Sequence, residues 1–210
     1  MGLVLHNLVC RRGGRLILSD VSFVVPAGGA LVLRGPNGVG KTTLLRSLAG
    51  LIPIAGGTAR LFDTSLGPEA EGVALSGHLD AVKPGLTVAE TLAFWARLYG
   101  TDMAPALQAF GLAPLRARAA GRLSAGQKRR LGLARLALSG ARLWLMDEPT
   151  VSLDTDGVAE VTALLERHLA MGGIAVISTH LSLPLAAETL TLRAPGVDTR
   201  PDPFLTGFDA

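Results

Sequence analysis

The sequence predicts an α/β protein built on a parallel core sheet, and three patterns carry that expectation. Apolar runs of strand length, Ala30–Leu33, Arg142–Asp147 and Gly173–Ser178, each lead into polar residues. Helical patterns follow at Leu44–Gly50, Lys128–Leu138 and Asp154–His168. Strands that alternate with helices, each strand ending in a polar group, belong to a parallel sheet whose carboxyl ends form the site. The third pattern is a long helical stretch, Thr87 to about Ser139, between the strands.

Each element has a local reason. Leu3–Val9 and Val21–Val25 read as strands, with Arg12-Gly13-Gly14-Arg15 as the turn, which adds an antiparallel β edge. Pro26–Gly29 leads into Ala30–Leu33. After the first helix, Pro53–Gly57 is a breaker cluster, and Thr58–Phe62 reads as a short edge strand. Asp63–Glu71 is expected to be a surface excursion, and Gly72–Leu75 a short buried strand ending at Ser76-Gly77-His78. Within the helical stretch, Val88, Leu92, Trp95, Leu98 and Tyr99 recur at helical spacing, followed by Leu107, Phe110 and Leu112. Core packing is the expected role of these side chains. Residues 84–139 are therefore expected to form an inserted helical subdomain within one domain spanning 1–210. Ser124 is placed to cap the next helix. The tail, with Pro195, Pro201 and Pro203, is expected to be irregular.

Composition narrows the class. A chain of 210 residues, 49% hydrophobic and 18% charged, suits one compact domain with a sizeable core. The net charge of +3 and pI near 9.6 come from scattered basic residues. A nucleic-acid groove would need them clustered, so no nucleic-acid partner is expected. The single cysteine, Cys10, forms no internal disulfide and suits a reducing compartment. No signal peptide is expected, and no apolar run approaches the roughly 18 residues of a membrane span.

The chemistry concentrates at Gly35-Pro36-Asn37-Gly38-Val39-Gly40-Lys41-Thr42-Thr43, a P-loop NTPase pattern between a strand and a helix. Its glycines let the main chain turn tightly and bring N–H groups to phosphate oxygens. The helix beginning near Lys41 points its positive end at the same anion. Lys41 can reach the β- and γ-phosphates, and the Thr42 hydroxyl can ligate Mg²⁺. The tip of Leu143–Asp147 should lie beside this loop. Asp147 can then hold Mg²⁺, while Glu148 points towards the γ-phosphate and its attacking water. His180, at the end of another strand, can contact the γ-phosphate.

The phosphate loop, Leu123-Ser124-Ala125-Gly126-Gln127, Leu143–Glu148, Ser152-Leu153-Asp154 and His180 resemble the ordered motif set of the ATP-binding cassette (ABC) ATPases over nearly the whole chain. The signature segment is similar to Leu-Ser-Gly-Gly-Gln, with alanine third. The resemblance implies ATP and Mg²⁺ as cofactors and a head-to-tail homodimer with two ATP molecules at its interface. Ser124, Gly126 and Gln127 of one subunit would then complete the phosphate site of the other. A helix N-terminus is an anion cradle, consistent with that role.

Two departures point to a branch. Arg12 stands where most such ATPases have an adenine-stacking aromatic residue; it either stacks its guanidinium on the base or is an ordinary solvated arginine. His78 stands where most have glutamine, and histidine is not a preferred ligand for a hard cation. With the short length and the ending Thr179-His180-Leu181, these features resemble the ATP-binding subunits of cytochrome c maturation, historically called haem exporters. That branch implies a peripheral subunit on the cytoplasmic face of a bacterial inner membrane. Its expected partners are an integral membrane subunit and other cytochrome c maturation proteins, with ATP hydrolysis serving haem delivery. An exporter or importer ATPase for lipid, drug or metal would use the same catalytic residues. A soluble ABC ATPase usually carries a coiled-coil insertion or two cassettes, and a P-loop kinase or GTPase would leave Leu123–Gln127 unexplained.

Overall fold

The computed structural model describes residues 2–77 and 82–194. The chain runs β1 (Gly2–Arg12), β2 (Arg15–Pro26), β3 (Ala30–Arg34), α1 (Lys41–Leu48), β4 (Ile54–Leu61), β5 (Thr64–Ser65) and β6 (Val73–Ser76). It continues with α2 (Val88–Tyr99), α3 (Ala104–Ala109), α4 (Ala125–Leu138), β7 (Leu143–Asp147), α5 (Thr155–Ala170), β8 (Ile174–Ser178) and β9 (Glu188–Thr191). The strands form two sheets. One has the order β2-β1-β4-β5 and is antiparallel throughout; the other, β6-β7-β8-β3-β9, is parallel throughout.

Side-chain alternation along the parallel strands divides the interior in two. Leu31, Leu33, Leu143, Leu145, Ile174 and Val176 face α1 and the antiparallel sheet, meeting Leu44, Leu45, Leu48, Leu3 and Leu18. Ala30, Trp144, Met146, Ala175 and Ile177 face the other way, onto α2, α4 and α5 through Leu92, Leu131, Val161 and Leu165. Because both faces of β7 and β8 are covered, these strands are buried along their whole length. Each fully buried leucine here stabilises the fold by about 1.5–3 kcal/mol relative to exposure. All the parallel strands present their carboxyl ends to one edge, and that edge receives the phosphate loop between β3 and α1.

Several local expectations need correction. The strand expected at Thr58–Phe62 begins at Ile54 and lies between β1 and the two-residue β5, so it is not an edge strand. A bulge in β1 around Asn7 lets Gly57 pass so close that a Cβ there would sit 2.2 Å from the Asn7 carbonyl oxygen. The glycines that read as breakers accommodate the pairing. The strand expected to be buried at Gly72–Leu75 is half-buried, because β6 is an edge strand of the parallel sheet. On α2, Val88 and Leu92 are buried and the half-buried Trp95 packs against the same core, as expected, but Leu98 (61%) and Tyr99 (37%) are exposed. At 3.6 residues per turn, Leu98 falls beside exposed Phe94 and not beside Leu92. Trp95 also stacks on Tyr99, with the Arg135 guanidinium 4.9 Å from its ring. Leu107, Phe110 and Leu112 do pack in the core. β9 was not expected; it pairs with β3 alone, at the sheet's other edge. His78 and the tail from Pro195 lie outside the described residues.

Candidate functional site

The phosphate loop is shaped by Gly40, which precedes α1 with a left-handed backbone (φ 114°). That backbone conformation strains any residue with a side chain, and a Cβ there would also crowd the tip of Leu18 on β2 at 2.8 Å, so glycine suits the turn. Val39 is buried in the core and anchors the loop from below. Lys41 is buried, with its Nζ donating to the carbonyl oxygens of Gly35 (2.7 Å) and Pro36 (3.1 Å). This holds an ammonium inside the curl of the loop, where a phosphate's charge would be met.

The tip of β7 lies alongside. Asp147 is buried, and a buried carboxylate is costly unless its oxygens are satisfied. The Thr42 hydroxyl donates to its Oδ2 at 2.8 Å, and the Ser178 hydroxyl, at the tip of β8, donates to its Oδ1. Glu148 follows with a left-handed backbone (φ 51°), its N–H bonded to the Ser178 carbonyl at 2.9 Å. Its carboxylate meets His180: Oε1 is 3.5 Å from Nε2, and Oε2 accepts from the His180 N–H at 3.4 Å. The Thr179–Leu181 segment is held in turn by Arg34 of β3, which donates to the Thr179 carbonyl and to that of Leu181 at 2.7 Å.

These groups open on a cleft of about 480 Å³, within the roughly 300–1,000 Å³ typical of small-molecule sites. Asn37, Gly38, Gly40, Lys41, Thr42, Thr43, Asp147, Glu148 and His180 line it, as does Arg12 at the end of β1. Gly35, Pro36 and Val39 do not line it, nor do Ser124, Gly126 and Gln127. The signature residues sit at the start of α4, where Ser124 Oγ accepts from the Gln127 N–H (3.2 Å) and Gln127 Oε1 accepts from the Ser124 N–H (3.1 Å). The sequence reading missed Ile17 and Arg46. Arg46 had a signal, since it lies four residues beyond Thr42 on the same helical face. Ile17 had none, being one of several apolar residues in a hairpin strand.

The ABC transporter family profile matches residues 18–151. The chain belongs to the ABC transporter family. A Cereibacter sphaeroides relative, named cytochrome c biogenesis ATP-binding export protein CcmA, is 52% identical over 213 residues, covering 97% of this ABC chain and 98% of its own. A Paracoccus denitrificans protein of the same name is 53% identical over 192 residues, 90% and 88% of the respective chains. Among solved structures, an ABC transporter ATP-binding protein from Pyrococcus furiosus superposes with a TM-score of 0.80 at 25% identity, over 91% of this chain and 98% of the other. The ATP-binding subunit of another ABC transporter superposes at 0.79 and 26% identity, over 86% and 80%. The fold is thus that of an ABC ATPase, and the nucleotide of this ABC domain is ATP.

Proposed function

We propose that this chain is the ATP-hydrolysing subunit of a membrane ABC transporter complex serving cytochrome c biogenesis. The observation that carries the hydrolytic part is the meeting of Glu148 and His180 in the cleft that Lys41 also lines. Lys41 offsets charge on the β- and γ-phosphates, within the cradle of Gly35 to Thr43. Glu148 takes the proton of the attacking water, and His180 contacts the γ-phosphate while steadying the carboxylate. Arg12 lies under the adenine. Thr42 and Asp147 are hard oxygen donors already in contact, which suits Mg²⁺ completed by phosphate oxygens and water. When bound, Mg²⁺ would neutralise charge on the phosphates.

The biological assignment rests on the relatives, whose names place them in cytochrome c biogenesis and whose identity extends over nearly the whole chain. Among the described residues, no helix is long and apolar enough to cross a membrane. By analogy with these relatives, the reading is of one nucleotide-binding domain, with residues 84–139 as its helical subdomain, attached peripherally to a separate membrane subunit at the cytoplasmic face. Two copies associate head to tail, and Ser124, Gly126 and Gln127 of each close the other's ATP site. Haem is the expected cargo.

Glu148→Gln tests the catalytic core of this reading. It should bind ATP as the wild type does but turn over about 10²–10⁴-fold more slowly, the loss expected for a general base. Unchanged turnover would reject Glu148 as the base. In a host lacking its own copy, the wild-type chain should restore c-type cytochromes and Glu148→Gln should not; restoration of neither haem-stained product nor growth by the wild type would reject the pathway.

A further inference from the structure

We propose that Arg129 is a positioning residue for Glu148, holding the carboxylate's peptide in its strained turn and tying it to the signature helix. This rests on the reading of Glu148 as the base. Arg129 lies on α4, two residues past Gln127, and is only 4% exposed. Its Nε donates to the Pro149 carbonyl at 3.0 Å. One terminal nitrogen donates to the Gly77 carbonyl just past β6 (3.1 Å), and the other to the main-chain carbonyls of Asp147 (3.0 Å) and Glu148.

Burying a guanidinium is costly unless its N–H groups are taken, and main-chain oxygens of the β7 tip take them here. The main chain at Glu148 is left-handed (φ 51°), a conformation disfavoured for a residue with a β-carbon. Such a turn swings the carbonyl away from the line of the strand, and at Glu148 it swings towards Arg129. The Ser178 carbonyl fixes the N–H on the other side of the same residue. The two bonds together hold the peptide so that the side chain reaches His180 and the cleft. A lysine has its donors on one atom and cannot span carbonyls on two segments as the planar fork does. Because Ser124 caps α4 and Gln127 lies in its first turn, Arg129 links the signature end of that helix to the Glu148 main chain.

The full-length chain is compared as wild type, Arg129→Lys, Arg129→Gln, Glu148→Gln and the Arg129→Gln/Glu148→Gln double variant, by ATP titration and steady-state and single-turnover hydrolysis. Both Arg129 variants should lose roughly 10²-fold in kcat, the scale of a small misplacement of a reacting group, while KM stays within about twofold. In the Glu148→Gln background Arg129→Gln should cost no more than about twofold further, because its effect runs through the missing carboxylate. A merely structural arginine would instead add its full loss in that background. That result, near-wild-type kcat in both variants, or loss of ATP binding or folding in both, overturns the proposal. Glu148→Gln alone separates the two ideas. If it hydrolyses ATP normally, the base assignment fails and this inference with it; if it is slow while Arg129→Lys and Arg129→Gln are fast, only the positioning role fails.

Discussion

Adenine must lie against a flat surface to contribute affinity, and on the proposed reading a cation in the cleft lining, Arg12, offers that surface. Arg12 ends β1 and lines the cleft with Ile17. A guanidinium stacks on a π-system for about 0.5–2 kcal/mol, depending on how far it is desolvated. Arg12→Ala should therefore weaken ATP binding several-fold, Arg12→Tyr should preserve it, and Arg12→Lys should fall between. GTP should bind nearly as well, since stacking reads no hydrogen-bonding edge. Equal affinities by nucleotide titration across the series would leave Arg12 a bystander. At this scale the sequence was most legible where polar residues follow an apolar strand: Asp147, Glu148 and His180 come at or just after the ends of β7 and β8, and Lys41 follows β3 through the glycine loop. Arg129 was not legible. Its partners are main-chain oxygens, which every residue has, so no side-chain pattern announces them.

Elements were legible where both faces are covered. β7 and β8 are continuous apolar runs, and their alternation into two cores follows from the pleat alone. β9 (Glu188–Thr191) carries little strand signal, because a mostly exposed edge strand needs little apolar content. On α2, helical spacing marks a stripe without saying how far the core extends along it, which is why Leu98 and Tyr99 lie exposed. The packing of α5 on β7 and β8 makes a prediction of its own. The His168 ring stacks on Trp144 with centroids 3.8 Å apart, and its Nε2 lies 3.2 Å from the Ile174 carbonyl. Burial pushes the imidazole's pKa down, opposed by hydrogen bonds to the Ile174 and Arg142 main chain. The neutral ring is thus the native form. Above the ordinary histidine value of 6.5 both folded and unfolded chains carry it neutral, and its packing contributes in full. As pH falls below that value the unfolded chain protonates first, so stability declines until the depressed folded pKa is reached. Tm should fall between pH 8 and pH 5.5 by more in the wild type than in His168→Phe, which keeps the stack and cannot titrate. Parallel Tm curves for the two would show that His168 does not set the dependence.

Across the whole molecule, the parallel sheet gathers the cleft at its carboxyl edge, and on the proposed head-to-tail reading the start of α4 supplies the other half of a partner's nucleotide site. Ser124 is exposed and outside the cleft that Lys41 lines. A catalyst divided in this way obeys mass action: activity per chain should rise with concentration until pairing saturates. It also allows two inactive chains to repair one another. Lys41→Ala spoils its own phosphate loop but keeps a good signature segment. Ser124→Arg spoils the signature, at the added cost of an N-cap worth about 1 kcal/mol, but keeps a good loop. In a head-to-tail pair of the two variants, one site inherits both defects and the other inherits neither. Random mixing in equal amounts should therefore return about a quarter of the wild-type sites if they act independently. ATP hydrolysis measured on each variant and on the mixture reads this directly. No gain on mixing would mean that each chain hydrolyses alone. A gain would make the pair, and not the polypeptide, the unit on which mutation and selection act.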